Sequence, residues 1–373
     1  MLKNVLKHCF YWVASLLPKR NYCYLKGIPS YDDSLVALYK RFDTGAYEKI
    51  IWSVYDLSHS RPFEMRKGTE FVRNGSLKDL WYGMVSKTMF TTHGHFLKAV
   101  PRGQVCVNVW HGMPFKAIGL LAGEEGKDSS YFCSTSPLFR DVLARSFGVR
   151  EECGWMSGIP RNDFLFESKE GIWEAMGLER EKYKKVFFWL PTYRTSTMGN
   201  LIEDGVEAGN VFNMVGFPST AFARFLEKEK CLCIIKPHPL APRNEEEFPE
   251  NIMVIDEEWM WQRGVLLYQI LSEVDFLVSD ISSVMVDFAL LDRPMFVCFE
   301  DSEEYKAKRK MVFEPIEDWL PGEIVHGYEG LREAISSCVA GEDSSQEKRR
   351  KLCKQFHSYQ DGRSTERVLE ELG

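Results

Sequence analysis

Val186-Phe187-Phe188-Trp189-Leu190, halted by Pro191 and followed by Thr192-Tyr193-Arg194, is an unbroken apolar run too short for a core helix. It reads as a strand buried on both faces. A loop over 195–208, a helix over 219–230 and a second apolar strand, Cys231-Leu232-Cys233-Ile234-Ile235, come next. A short strand over 252–254, a helix over 264–272 and a strand over 275–278 continue the series. Strand, helix and strand in this order call for a parallel sheet covered by helices.

The same alternation occupies residues 20–175, with strands over 49–55, 90–92 and 105–110 and helices over 134–146 and 168–176. Gly177 ends the last of these, and a charged stretch over 179–185 separates the halves. The expected organisation is an amphipathic helix over 1–18 and two α/β domains, 19–180 and 181–373. Two such domains facing one another leave a cleft at the carboxyl ends of their strands, where ligands bind.

Composition agrees with this reading. The 373 residues are 45% hydrophobic, with 47 Lys+Arg against 54 Asp+Glu and a net charge of −7. That is enough apolar material for two cores and excludes disorder of the whole chain. The mildly acidic balance excludes a general nucleic-acid binder. The ten cysteines form no CxxC pair or Cys/His cluster with zinc spacing, so they read as free thiols in the reducing cytoplasm.

Near the N-terminus, Leu2, Val5, Leu6, Cys9, Trp12, Val13, Leu16 and Leu17 recur at helical spacing. Lys3, Lys7, Lys19 and Arg20 accompany them, and Pro18 ends the run. The segment is too short and too polar to span a bilayer and lacks a small-residue cleavage site. An interfacial helix on an anionic membrane suits it, and packing on the first domain is the alternative.

Four strand ends carry chemistry-bearing residues. The strand over 105–109 delivers Trp110-His111-Gly112-Met113-Pro114-Phe115-Lys116, with an imidazole able to take a proton near neutral pH. The strand over 186–190 delivers Thr192 and Arg194, a hydroxyl and a planar guanidinium suited to phosphate. Next, Lys236-Pro237-His238-Pro239 holds an imidazole between two prolines beside a cation. Last, Ser279-Asp280-Ile281-Ser282-Ser283 leads into a helix bearing Asp287, an arrangement suited to a pyrophosphate or to plain capping. No GxGxxG loop or P-loop is present.

In order, these segments resemble the CDP-glycerol glycerophosphotransferase family, whose enzymes build teichoic acids and related polymers. Gly158-Ile159-Pro160-Arg161-Asn162-Asp163, Leu291-Asp292-Arg293-Pro294, Glu303-Glu304-Tyr305 and Asp361-Gly362-Arg363-Ser364 complete the series, and Tyr31-Asp32-Asp33-Ser34 is an earlier hint. The resemblance covers about residues 100 to 370.

It implies a GT-B architecture and transfer of glycerol phosphate from CDP-glycerol to a hydroxyl of a lipid-linked acceptor of the undecaprenyl-diphosphate type, with release of CMP. His111 would be the general base, with Gly112, Lys116, Arg161, Asn162 and Asp163 on the acceptor side. His238, Thr192, Arg194, Lys236, Asp280, Ser282, Ser283 and Asp287 would hold the donor. Glu303 and Glu304 would take the ribose hydroxyls. The expected setting is the cytoplasmic face of the membrane, with no metal cofactor. CDP-ribitol as donor, a UDP-sugar transferase or isomerase on the same fold, and an inactive scaffold stay open as alternatives.

Overall fold

The computed structural model describes residues 2–43, 45–97, 99–192, 210–237, 247–299 and 310–373, and the backbone alone of 2–7. The chain divides into two compact units.

The first unit holds Met1–Met113, Ile118–Glu167 and Phe356–Gly373. Its strands are β1 (Arg20–Lys26), β2 (Lys49–Val54), β3 (Thr69–Arg73), β4 (Ser86–Thr91), β5 (Val105–Asn108), β6 (Tyr131–Cys133) and β7 (Gly154–Trp155). They form one sheet in the order β3-β2-β1-β4-β5-β6-β7, and every pairing is parallel. The second unit holds Pro114–Ala117 and Ser168–Gln355. Its strands β8 (Lys185–Leu190), β9 (Cys231–Ile235), β10 (Ile252–Val254), β11 (Phe276–Ser279), β12 (Met295–Cys298) and β13 (Glu323–Val325) run in the order β10-β9-β8-β11-β12-β13, again all parallel.

Both sheets therefore share the doubly wound order 3-2-1-4-5-6, which reverses beside the first strand. The reversal falls between β1 and β4 in the first unit and between β8 and β11 in the second. Phe187, Phe188, Cys231, Cys233 and Phe276 are fully buried because helices cover both faces of such a sheet.

The division differs from the expected boundary at 180. It falls after Glu167, and Phe356–Gly373 returns to the first unit. Asp163 explains the return: its carboxylate, fully buried, accepts the backbone N–H of Ser364 at 2.7 Å and of Thr365 at 2.9 Å. These are orphan donors at the start of the helix Ser364–Leu372. Gly158, at φ 79°, lies so close that a Cβ there would meet the Ser364 hydroxyl at 2.4 Å.

The N-terminal helix, Leu2–Leu16, packs on the first unit through Ala14 and Phe10, with Leu80, Met84 and Leu97 opposite. Trp12, Val13 and Leu16 face away and are exposed. Lys19 does not reach outward as a flanking cation, because its Nζ donates to the carbonyls of Ala14 and Met84. No helix among the described residues is long and apolar enough to cross a membrane.

Candidate functional site

In the first unit the chemistry gathers at the tips of β4 and β5, next to the reversal point. Beyond β5, Asn108 Oδ1 accepts the backbone N–H of Trp110 at 3.1 Å and turns the chain sharply. Trp110 takes φ 56°, a left-handed conformation that a bulky residue adopts only under tertiary constraint. Burial supplies that constraint, with the indole edge-on to Phe147 at 4.7 Å. Gly112 follows at φ 137°, which also suits glycine alone.

His111 stands between these two residues, half-buried, with Nδ1 2.9 Å from the carbonyl oxygen of Thr92. A carbonyl only accepts, so the proton sits on Nδ1 and the lone pair on Nε2. That is the tautomer a general base needs. From the segment Pro160–Leu165, the buried Arg161 donates to the His111 carbonyl at 2.9 Å. Asp32 caps the helix Asp33–Arg41, and the Arg161 charge acts on its carboxyl against the upward push of burial. Arg161 thus fixes the histidine backbone.

His93 joins this cluster, a residue the motif reading did not single out. It stacks on His111 with ring centroids 4.4 Å apart and planes at 20°. Burial first, then His111 and Lys127, push its pKa down to about 2, so it is neutral. Its signal in the sequence is the pair His93-Gly94 just past the strand over 90–92, the same pattern as His111-Gly112.

Three residues expected on the acceptor side are placed by the protein's own packing. Asp163 is buried under the C-terminal helix and anchors it. Asn162 is buried as well, at 3% exposure. Lys116 belongs to the second unit, where it bridges Met311 and its neighbours exchange backbone hydrogen bonds with residues 310–312.

In the second unit Thr192 and Asp280 meet across the reversal point. Thr192 donates from its backbone N–H at 3.1 Å to Oδ1 and from its hydroxyl at 2.6 Å to Oδ2 of Asp280. Asn213 Nδ2 donates to the Thr192 carbonyl at 2.9 Å, so this residue is pinned from both sides. Asp280, expected at the donor, thereby orients Thr192. Ser282 and Ser283 are half-exposed at the same strand end, ahead of the short helix Val284–Phe288.

Asp287 turns inward, fully buried, and accepts the Tyr268 hydroxyl at 2.6 Å. Lys236 is paired with Glu257 at 2.6 Å, so its charge is matched within the protein. Arg194, His238, Glu303 and Glu304 lie outside the described residues. Among the described residues no group of three or more His, Cys, Asp or Glu side chains is placed to hold a metal ion.

Two parallel sheets of one winding order, each with its polar residues at the carboxyl ends of the strands, define a chain of the GT-B fold class. The chain belongs to the CDP-Glycerol:Poly(glycerophosphate) glycerophosphotransferase family, whose profile matches residues 9–372. It is 30% identical to the teichoic acid ribitol-phosphate polymerase TarK of Staphylococcus aureus, a match that covers 72% of this chain and 52% of that protein. With 48% of TarL covered, the chain spans about half the length of these curated relatives. A teichoic acid glycerol-phosphate transferase of the same organism is 24% identical over 100% of this chain and 98% of its own length. Among solved structures, the wall teichoic acid polymerase TagF matches with a TM-score of 0.75 at 19% identity, over 100% of this chain and 94% of that chain. That likeness is one of fold.

Proposed function

We propose that this chain transfers glycerol phosphate from CDP-glycerol to a hydroxyl of a lipid-linked acceptor and releases CMP. The observation that carries the reading is the tautomer of His111, which lies beyond β5 and is fixed by the Thr92 carbonyl at the tip of β4. The acceptor hydroxyl gives its proton to Nε2. Its oxygen attacks the glycerol-bearing β-phosphorus, and the bond from that phosphorus to the bridging oxygen breaks with its electron pair leaving on CMP.

Thr192, Ser282 and Ser283, together with Arg194 and His238, hold the diphosphate in this reading, and Glu303 and Glu304 take the ribose. Asp280 positions Thr192, and the Lys236–Glu257 pair steadies the strand end that leads to His238. Placement and charge stabilisation are most of what phosphoryl transfer asks of a protein. A second reading exchanges CDP-glycerol for CDP-ribitol, favoured by the 30% identity to a ribitol-phosphate polymerase.

The same proposal seats the protein on the cytoplasmic face of an anionic membrane. Trp12 is 62% and Leu16 84% exposed on the outer face of the N-terminal helix. Leu77 and Trp81 are exposed on the helix Leu77–Val85, against which that helix packs. An aromatic and aliphatic face of this kind suits the interface, close to a lipid-linked acceptor.

Nucleotide release with CDP-glycerol, CDP-ribitol and UDP-sugars in parallel tests the function. CMP from one of the two CDP-polyols, in the presence of a synthetic lipid-diphosphate disaccharide, is the expected result. UDP release from a UDP-sugar, with no CMP from either polyol donor, overturns it.

A further inference from the structure

We propose that His93 is a positioning residue for the transfer: its neutral ring stacks on His111 and keeps that base seated on the Thr92 carbonyl. The inference rests on the reading of His111 as the base and extends it to the neighbouring strand.

The two histidines leave adjacent parallel strands, β4 and β5, and each is followed by a glycine with positive φ, 79° at Gly94 and 137° at Gly112. Their rings lie 4.4 Å apart at 20°. One residue ties both. The buried Thr92 gives its carbonyl to His111 Nδ1 at 2.9 Å, and its hydroxyl lies 2.7 Å from His93 Nδ1. That hydroxyl also accepts the Ile28 N–H at 3.1 Å, so the group that holds His93 Nδ1 is itself held in place. The His93 ring is held at one nitrogen and one face. It has little freedom to turn. A fixed aromatic surface against His111 removes rotamers in which the base would swing off the Thr92 carbonyl and present the wrong nitrogen.

Neutrality is part of the function. During transfer His111 passes from imidazole to imidazolium, and a second cation stacked against it would oppose that step. Among the described residues, Lys127 acts on His93, and Arg161 holds the His111 carbonyl and acts on Asp32. Burial keeps His93 uncharged beside them.

The test compares His93→Ala with His93→Phe in the full chain, using CDP-glycerol and the synthetic lipid-diphosphate disaccharide. His93→Ala is expected to lower kcat by about 10- to 100-fold with KM for CDP-glycerol within about twofold. His93→Phe restores the flat surface and should recover most of the rate. Nitrogen-15 spectra of the imidazoles supply a readout independent of activity. His111 should be a single Nδ1–H tautomer in the unaltered protein and in His93→Phe, and a mixture in His93→Ala. A folded His93→Ala protein with unchanged kcat and an unchanged His111 tautomer overturns the inference and leaves the base reading standing. If His111→Ala itself retains full rate, the base reading fails, and the tautomer spectra still decide whether His93 positions the ring.

Discussion

Asp280, at the end of β11, accepts both the backbone N–H and the hydroxyl of Thr192, at the end of β8. The reversal point of the second sheet is thus closed by a carboxylate, and the Thr192 hydroxyl has one fixed direction. Asp280→Ala strands a buried-side N–H and hydroxyl and should cost about 1–3 kcal/mol of stability. Thr192→Val removes only the hydroxyl bond and should cost about 0.5–1.5 kcal/mol. Urea denaturation measures both, and a costlier Thr192→Val would contradict the assigned roles.

Asp163 ties the first unit to a helix some two hundred residues later in the chain. With the carboxylate gone, Ser364 and Thr365 N–H groups lose their acceptor inside a buried site. Asp163→Ala should destabilise by about 1–3 kcal/mol and let the helix Ser364–Leu372 open first. Hydrogen exchange should show protection lost there before the sheet is affected. Uniform loss across the first unit would contradict the anchoring role.

Much of this was legible in the sequence, and the misses have physical reasons. β9, β8 after Lys185 and β5 up to Asn108 are unbroken apolar runs because helices cover both faces of the sheet, so their ends pointed directly at His111, Thr192 and Lys236. β1 escaped notice because Arg20, Asn21 and Lys26 bracket its four buried residues. β3 escaped because it is an edge strand whose Glu70 pairs with Lys49 of β2. Asp163, Asp280 and Asp287 carry the motif letters of ligands, yet each spends its oxygens on the protein's own donors. Sequence spacing does not reveal which way a carboxylate turns. His93 was missed although its His-Gly pair repeats that of His111, since only the parallel pairing of β4 with β5 brings the two rings together.

His95 gives the first unit a pH dependence with a definite sign. Gln104 Nε2 donates to the carbonyls of Gly83 and Ser86, so its Oε1 faces His95 Nε2 at 2.8 Å and accepts the hydrogen bond of the ring N–H. The other ring nitrogen accepts the Leu97 N–H at 3.1 Å, which leaves no place for a second proton. Burial above all lowers the His95 pKa to about 4 from an ordinary 6.5. A depressed folded pKa means that the stabilisation is complete above pH 6.5 and is lost as the pH falls toward 4. The Tm advantage of the unaltered protein over His95→Gln should therefore shrink across that range. A difference independent of pH would contradict the neutral assignment.

The exposed apolar face proposed to meet the membrane is separable from the fold. Leu16 and Leu77 are 84% and 88% exposed, so Leu16→Glu with Leu77→Glu should leave Tm nearly unchanged. Flotation with anionic vesicles at low salt should be lost in the double variant and retained in the unaltered chain. Equal flotation of the two proteins would show that this face does not meet lipid.

In the proposed transfer the Nε2 of His111, with its tautomer set by Thr92, takes the acceptor proton. The most direct measurement is the rate of CMP release by His111→Ala from CDP-glycerol and the synthetic lipid-diphosphate disaccharide, with donor affinity measured alongside by calorimetry. Loss of a general base should lower the rate by about two to four orders of magnitude. Affinity for CDP-glycerol should stay nearly unchanged, because the proposal assigns the residue to the acceptor. A folded His111→Ala protein that turns over at the unaltered rate would contradict the account.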